Sequence, residues 1–139
     1  MHVDEVSGHV VDAALKIHKG LGPGLLESVY EGLLAKELER RNLRVERQRS
    51  VDFEFDGMHF ERAFRVDLLV HECVVVELKS VETLAPVHAQ RLLTYLRLLD
   101  LNVGLLINFG SATLREGLHR VINQYSAPPR LRVMKSVPP

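Results

Sequence analysis

Arg65-Val66-Asp67-Leu68-Leu69-Val70-His71-Glu72-Cys73-Val74-Val75-Val76-Glu77-Leu78-Lys79 is the stretch whose reading decides the fold. Two apolar runs flank His71-Glu72-Cys73, a separation short enough for a β-hairpin. With those three residues as the loop, Val70 pairs with Val74, and counting back sets Asp67 opposite Glu77. Directly opposed residues on one face of a sheet have Cβ atoms about 4.5–5.5 Å apart. A side-chain period of two places Lys79 with Glu77 and Arg65 with Asp67. One face of one hairpin is therefore expected to carry two carboxylates, a lysine and an arginine.

Two like charges that close repel each other unless a cation lies between them. A hard divalent ion suits carboxylate oxygens; magnesium binds them at about 2.0–2.1 Å, and manganese is the alternative. The set fits metal-assisted phosphodiester hydrolysis. A metal polarises a phosphoryl oxygen and lowers the pKa of water. Lysine orients that water or stabilises charge developing on the phosphate, and arginine grips phosphate oxygens. Asp67, Glu77 and Lys79 also fit a solvated strand face with ordinary ion pairs, since single Asp…Glu-x-Lys patterns arise by chance. Two features weigh against that. Val74, Val75, Val76 and Leu78 make the strand read as buried, where a charge with no role is costly. Glu27, at the start of a helix, offers a further carboxylate; its alternative role there is to favour the helix dipole. Tyr30 lies three residues on, on nearly the same face, although a lone tyrosine is more often a core residue.

Outward from the hairpin, the chain alternates helical and extended patterns. Val6, Val10, Ala14 and Ile17 give a helix over residues 3–19. Gly20-Leu21-Gly22-Pro23-Gly24 breaks it with a tight turn. A second helix is expected over residues 25–41, with Leu26, Val29, Tyr30, Leu33, Leu34 and Leu38 as its stripe. Arg44–Arg47 and Val51–Phe55 read as two strands, followed by an Asp56-Gly57 hairpin turn and a strand over Phe60–Val70. Pro86 opens a helix over residues 86–100. Val103–Phe109 reads as a buried strand, and Leu114, Leu118, Val121, Ile122 and Tyr125 as a last helix over 113–125. Residues 1–126 are expected to form one domain and residues 127–139, which hold four of the six prolines, a fraying tail.

Composition narrows the classes. The 139 residues are 46% hydrophobic and carry eighteen basic against eighteen acidic side chains. Bulk charge is excluded as a route to nucleic acid, so any such binding needs a local patch. One cysteine excludes an intrachain disulfide framework, and the seven histidines lack zinc-ligand spacing. Gly20–Gly24 is not followed by Lys-Ser/Thr, so it is no Walker loop. No apolar run has membrane-span length, and the N-terminus has no secretory pattern. The expectation is a cytoplasmic protein with no membrane association. The arginines at 40, 41, 44, 47 and 49 could form a phosphate-gripping edge, but a solvated junction interleaved with Glu39, Glu46 and Asp52 is the favoured reading.

Gly24-x-x-Glu27-x-x-Tyr30, then Asp67, then Glu77-Leu78-Lys79, then Leu105-Leu106-Ile107-Asn108-Phe109-Gly110 resemble the bacterial and archaeal GxxExxY family, assigned to the PD-(D/E)XK nuclease superfamily. The resemblance covers roughly residues 4–125. It implies an α/β, restriction-endonuclease-like core, a mixed four- to five-stranded sheet flanked by helices, with a magnesium site. By that resemblance Asp67 and Glu77 are ligands, joined by the Leu78 carbonyl and by Glu27 as the first-helix carboxylate, and Lys79 is the catalytic lysine. Relatives of the exonuclease-like branch carry a glutamine four residues before a tyrosine on the helix after the lysine. Here Tyr95 is preceded at that spacing by Arg91, and the glutamine is at 90. At about 100° per residue, His88, Arg91 and Tyr95 share a stripe that Gln90 leaves. Arg65, Tyr30, His88, Arg91 and Tyr95 are therefore the candidate substrate contacts. The implied partner is nucleic acid, DNA first. A short chain covers little of it, which leaves room for a homodimer or a protein partner. The alternative is a nuclease-fold module that has lost turnover and binds nucleic acid or protein.

Overall fold

The hairpin of residues 65–79 lies at the centre of a six-stranded sheet. The structure is a computed structural model that describes residues 1–135. Its elements run α1 (Val3–Leu21), α2 (Glu27–Arg40), β1 (Val45–Phe55), β2 (Met58–Val70), β3 (Val74–Lys79), α3 (Pro86–Leu99), β4 (Val103–Asn108), α4 (Leu114–Gly117), β5 (Leu118–Ile122) and β6 (Leu131–Lys135). The strand order is β5-β4-β3-β2-β1-β6. Among the described residues only β3 and β4 pair in parallel; the connection between them is α3, as a parallel crossover requires.

Each face of the sheet has its own core. Val6, Val10, Ala14, Tyr30, Leu34 and Leu38 of α1 and α2 pack on Leu68, Val70, Val76, Leu78, Leu105 and Ile107. Leu92 and Leu96 of α3 pack on Val66, Val75 and Leu106 from the other side. Burial on both faces explains why β3 and β4 read as continuous apolar runs rather than alternating ones. Every residue of β4 is buried.

The β2–β3 loop falls at His71-Glu72-Cys73, with Val70 opposite Val74 as the register count requires. His71 and Glu72 both take positive φ, 53° and 57°. The Asp56-Gly57 turn joins β1 to β2, again with two positive φ values, 51° and 79°, which match the twist of the flanking strands. The two short strands expected at 44–47 and 51–55 are one strand, β1. Gln48 interrupts its regular geometry with φ 49°, inside the gap that separated the two sequence patterns.

Two expectations near the C-terminus need correction. The helix over 113–125 is a single turn, and Leu118–Ile122 forms β5, antiparallel to β4. Leu114, Leu118 and Val121 have helical spacing, but Gly117 is pressed against β4. A Cβ there would lie 2.3 Å from the Asn108 carbonyl oxygen and 2.8 Å from Ser111 Oγ. Val121 and Ile122 are β-branched, and β4 offers an otherwise open hydrogen-bonding edge. The tail also does not simply fray. Residues 131–135 add β6 to β1, with Phe55 opposite Leu131 and Val51 opposite Lys135. Arg130 anchors that strand through an ion pair to Asp56 at 2.9 Å. These two strands make the sheet wider than expected. Residues 136–139 of the tail lie outside the described residues.

The contact at Gly117 separates two glycine substitutions. Gly117→Ala is expected to destabilise the protein by about 2–3 kcal/mol through overpacking. Gly8→Ala, mid-helix with nothing within 4 Å of its added Cβ, is expected to stabilise by about 1 kcal/mol. Urea denaturation of both variants checks the pair.

Candidate active site

The β2–β3 ladder runs from Val70/Val74 to Leu68/Val76 and stops there. Beyond it the strands are joined through side chains. The Asp67 amide donates to Glu77 Oε1 at 3.1 Å, and the Leu78 amide donates to Asp67 Oδ2 at 2.8 Å. Each carboxylate accepts a hydrogen bond from the opposite strand's backbone, so backbone donors that a ladder would use are satisfied. The expected juxtaposition of Asp67 and Glu77 is present, by this reciprocal clasp rather than by flat pairing.

Side-chain alternation changes at the same point. Phe64 and Val66 pack in the α3 core, whereas Leu68 and Val70 pack in the α1–α2 core. The expectation that Arg65 shares a face with Asp67 fails for this reason, because a regular period of two does not run through Asp67. Arg65 is exposed, and among the described residues it forms no ion pair with these carboxylates. On β3 the alternation holds: Leu78 is fully buried, while Glu77 and Lys79 line a small cleft with His88, Arg91, Leu92 and Leu106.

Electrostatics tie the cluster together. Burial, reinforced by Asp67, pushes the Glu77 carboxyl up to about 8 despite the pull of its hydrogen bond and of Lys79. Burial also raises Glu27, with Asp67 and Glu31 adding to it and Lys79 opposing. Glu27 is the first residue of α2, so the helix brings it within the influence of the pair. Burial lowers His88, helped by Lys79 and Arg91. Burial and Glu77 raise Tyr95, whose ring stacks on Phe64 at 4.6 Å. The stripe His88, Arg91, Tyr95 thus faces the carboxylates. Gln90 is exposed.

Tyr30 does not face substrate. It is fully buried and stacks on Phe109 at 4.4 Å. Its hydroxyl donates to the Gly22 carbonyl at 2.5 Å and accepts from the Leu25 amide at 3.2 Å. Gly24, at φ 108°, makes the turn that these bonds hold. The glycine and the tyrosine thus brace the entry into α2, and Glu27 is the residue they present. Asn108 also serves the scaffold. It is buried and bonds the Val81 amide and carbonyl at 3.0 and 2.9 Å, fixing the loop after Lys79.

The arginine cluster is mostly neutralised within the protein. Arg41 pairs with Asp12 at 2.8 Å, Arg44 with Glu72 at 3.4 Å, Arg47 with Glu31 at 3.1 Å, and Arg49 with Glu46. Burial pushes the Cys73 thiol up, the direction opposite to a reactive thiolate. Two residues near the site were not singled out from sequence. Glu31 is buried in α2, and Gln48 bonds both Glu31 and Asp67. A charge one turn after Glu27, beside buried Tyr30, Leu34 and Ala35, was the available sign of Glu31.

The donors suit a hard cation in kind. All are oxygens, and without a cation the Asp67 charge helps to keep Glu77 protonated. Among the described residues, no group of three or more His, Cys, Asp or Glu side chains is gathered closely enough to hold a metal ion. Glu27 is therefore not brought into one direct ligand set with Asp67 and Glu77, because it reaches the site from a separate layer. Two carboxylates completed by water and substrate phosphate remain an ordinary arrangement for magnesium.

The raised Glu77 carboxyl has a consequence for stability. Between about pH 4.5 and 8 the folded chain holds a proton at Glu77 that the unfolded chain releases. The contribution of this group therefore declines as pH rises through that window. In chelator-treated protein, Glu77→Gln is expected to melt at the same temperature as the parent near pH 4.5. Near pH 8 it is expected to melt about 6 °C higher, corresponding to roughly 2 kcal/mol in a domain of this size. Thermal unfolding across that pH range checks it.

No helix of the described residues is long and apolar enough to cross a membrane. No curated protein and no solved structure matches the chain. The profile of the PD-(D/E)XK nuclease superfamily matches residues 4–121. That span contains the clasped carboxylates, Lys79, strands β1 to β4 and all but the last residue of β5, and a mixed sheet flanked by helices is consistent with a restriction-endonuclease-like core. The chain belongs to the PD-(D/E)XK nuclease superfamily.

Proposed function

We propose that the protein is a magnesium-dependent nuclease of the GxxExxY group that hydrolyses phosphodiester bonds in DNA, with manganese as a substitute ion. Superfamily membership supports nuclease chemistry at the coarse level. The observation that carries the finer reading is the Asp67–Glu77 clasp, two carboxyl groups held against each other, with Glu77 and Lys79 lining a small cleft. Asp67, Glu77 and the Leu78 carbonyl would hold the ion, with Glu27 acting on it through water. Magnesium bound there supplies a Lewis acid for the phosphoryl oxygen and a lowered pKa for water.

The chain's own residues do the rest. Lys79 orients the attacking water and stabilises negative charge as it grows on the phosphate. Arg91 and His88 receive the flanking phosphate across the cleft from Glu77 and Lys79. Arg91 stands where exonuclease-like relatives carry glutamine, so this contact is ionic rather than amide-based. Tyr95, braced by Phe64, closes that side. Clustered cations at the site do the work that a net charge of zero cannot. The proposed setting is the cytoplasm, with a homodimer or protein partner extending the grip on DNA.

The test incubates the protein with single- and double-stranded DNA and RNA, with magnesium, manganese or a chelator. Metal-dependent cleavage of DNA is expected, and Asp67→Ala, Glu77→Ala and Lys79→Ala are each expected to lower it at least a hundredfold while circular dichroism is retained. Cleavage unchanged in all three variants would overturn the assignment. Nucleic-acid or protein binding without cleavage under any divalent ion would replace it with a non-catalytic module.

A further inference from the structure

Arg47 and Gln48 are neighbours in β1, yet both reach Glu31. Arg47 Nε and Nη2 donate to Glu31 Oε2 at 3.2 and 3.1 Å, and Gln48 Nε2 donates to Glu31 Oε1. Consecutive residues of a regular strand point to opposite faces. Gln48 escapes that rule because its backbone is left-handed, at φ 49°. A glutamine, unlike glycine or asparagine, adopts that conformation at a cost, and such departures persist where the surroundings impose them.

The same Gln48 nitrogen also donates to Asp67 Oδ1 at 3.2 Å. A carboxamide nitrogen has two hydrogens, and here each has a carboxylate acceptor. Two anionic acceptors admit only one orientation of the amide, nitrogen toward both. Glu31 is only 7% exposed, and Arg47 on its far side balances its charge. Asp67 is thereby held at both oxygens, Oδ1 by Gln48 and Oδ2 by the Leu78 amide.

We infer that Gln48, locked in place by Glu31 and Arg47, is a positioning residue that aims the Asp67 carboxylate. It acts through Asp67 and touches neither ion nor substrate. The inference rests on the reading of Asp67 as a ligand for its bearing on activity, but not for the hold on the side chain itself. Outer contacts of this kind commonly change metal affinity about 10–100-fold.

The experiment compares the parent, Gln48→Met, Glu31→Gln and Asp67→Ala. Gln48→Met keeps length and removes the donor. Amide hydrogen exchange is measured without metal, Mn²⁺ affinity by calorimetry, and cleavage against Mn²⁺ concentration. In Gln48→Met the Leu78 amide is expected to exchange about tenfold faster, while the Val76 amide within the ladder keeps its protection. Mn²⁺ affinity is expected to fall about tenfold, with cleavage recovering at high Mn²⁺. Glu31→Gln is expected to change both in the same direction. Unchanged Leu78 protection and unchanged Mn²⁺ affinity in Gln48→Met would overturn the inference. A global loss of protection in Gln48→Met would do so too, by making the residue a general fold element. Mn²⁺ affinity unchanged in Asp67→Ala would instead overturn the functional reading, and Leu78 exchange alone would then decide whether Gln48 holds Asp67.

Discussion

Two carboxylates occupy the place where β2 and β3 cease to pair, and the arrangement of the site follows from how they are accommodated. A ladder at that point would have left Asp67 and Glu77 as repelling neighbours on one face. The reciprocal bonds to the Leu78 and Asp67 amides keep the backbone satisfied while holding both side chains in place. The parting of the strands also changes the alternation along β2, so that its two ends serve different cores. Helix α2 on one side and α3 on the other then set Glu27, His88 and Arg91 around the break. The carboxylate pair is a local conflict that the rest of the domain keeps in register.

Much of this was legible because it rests on short-range rules. The loop at His71-Glu72-Cys73, the turn at Asp56-Gly57 and the placement of Glu77 with Lys79 follow from loop length, turn chemistry and a period of two. The helical stripe that favoured Arg91 over Gln90 follows from the helix repeat. The illegible parts depend on contacts distant in sequence. Nothing local tells Leu118–Ile122 that β4 has an open edge, or residues 131–135 that β1 has one. Arg65 departs from the face of Asp67 because the period of two changes between Val66 and Leu68. Tyr30 lies one turn after Glu27 yet belongs to the core, since its hydroxyl closes a turn that spacing alone does not reveal.

The Gly24…Glu27…Tyr30 pattern acquires a mechanical meaning from this. A tyrosine bonded across the turn and stacked on Phe109 ties the start of α2 to the end of β4. Asn108, next to that phenylalanine, ties the end of β4 to the loop after Lys79. Glu27 and Lys79 come from segments far apart in the chain, and one short segment, Asn108-Phe109, holds both in relation. That segment contributes no group to the chemistry, yet it fixes the separation between groups that do.

The C-terminal strand has a consequence for the order of assembly. Residues 131–135 close the edge of β1 at residues 51–55, so the ribosome must add everything between them first. At typical elongation rates of about 5–20 residues per second this takes on the order of ten seconds. During that interval β1 and β2 can already zip through their local turn, while the outer edge of β1 stays unpaired and able to meet another nascent chain. Crowding of chains on one message therefore bears on yield through this edge, independently of how stable the finished sheet is.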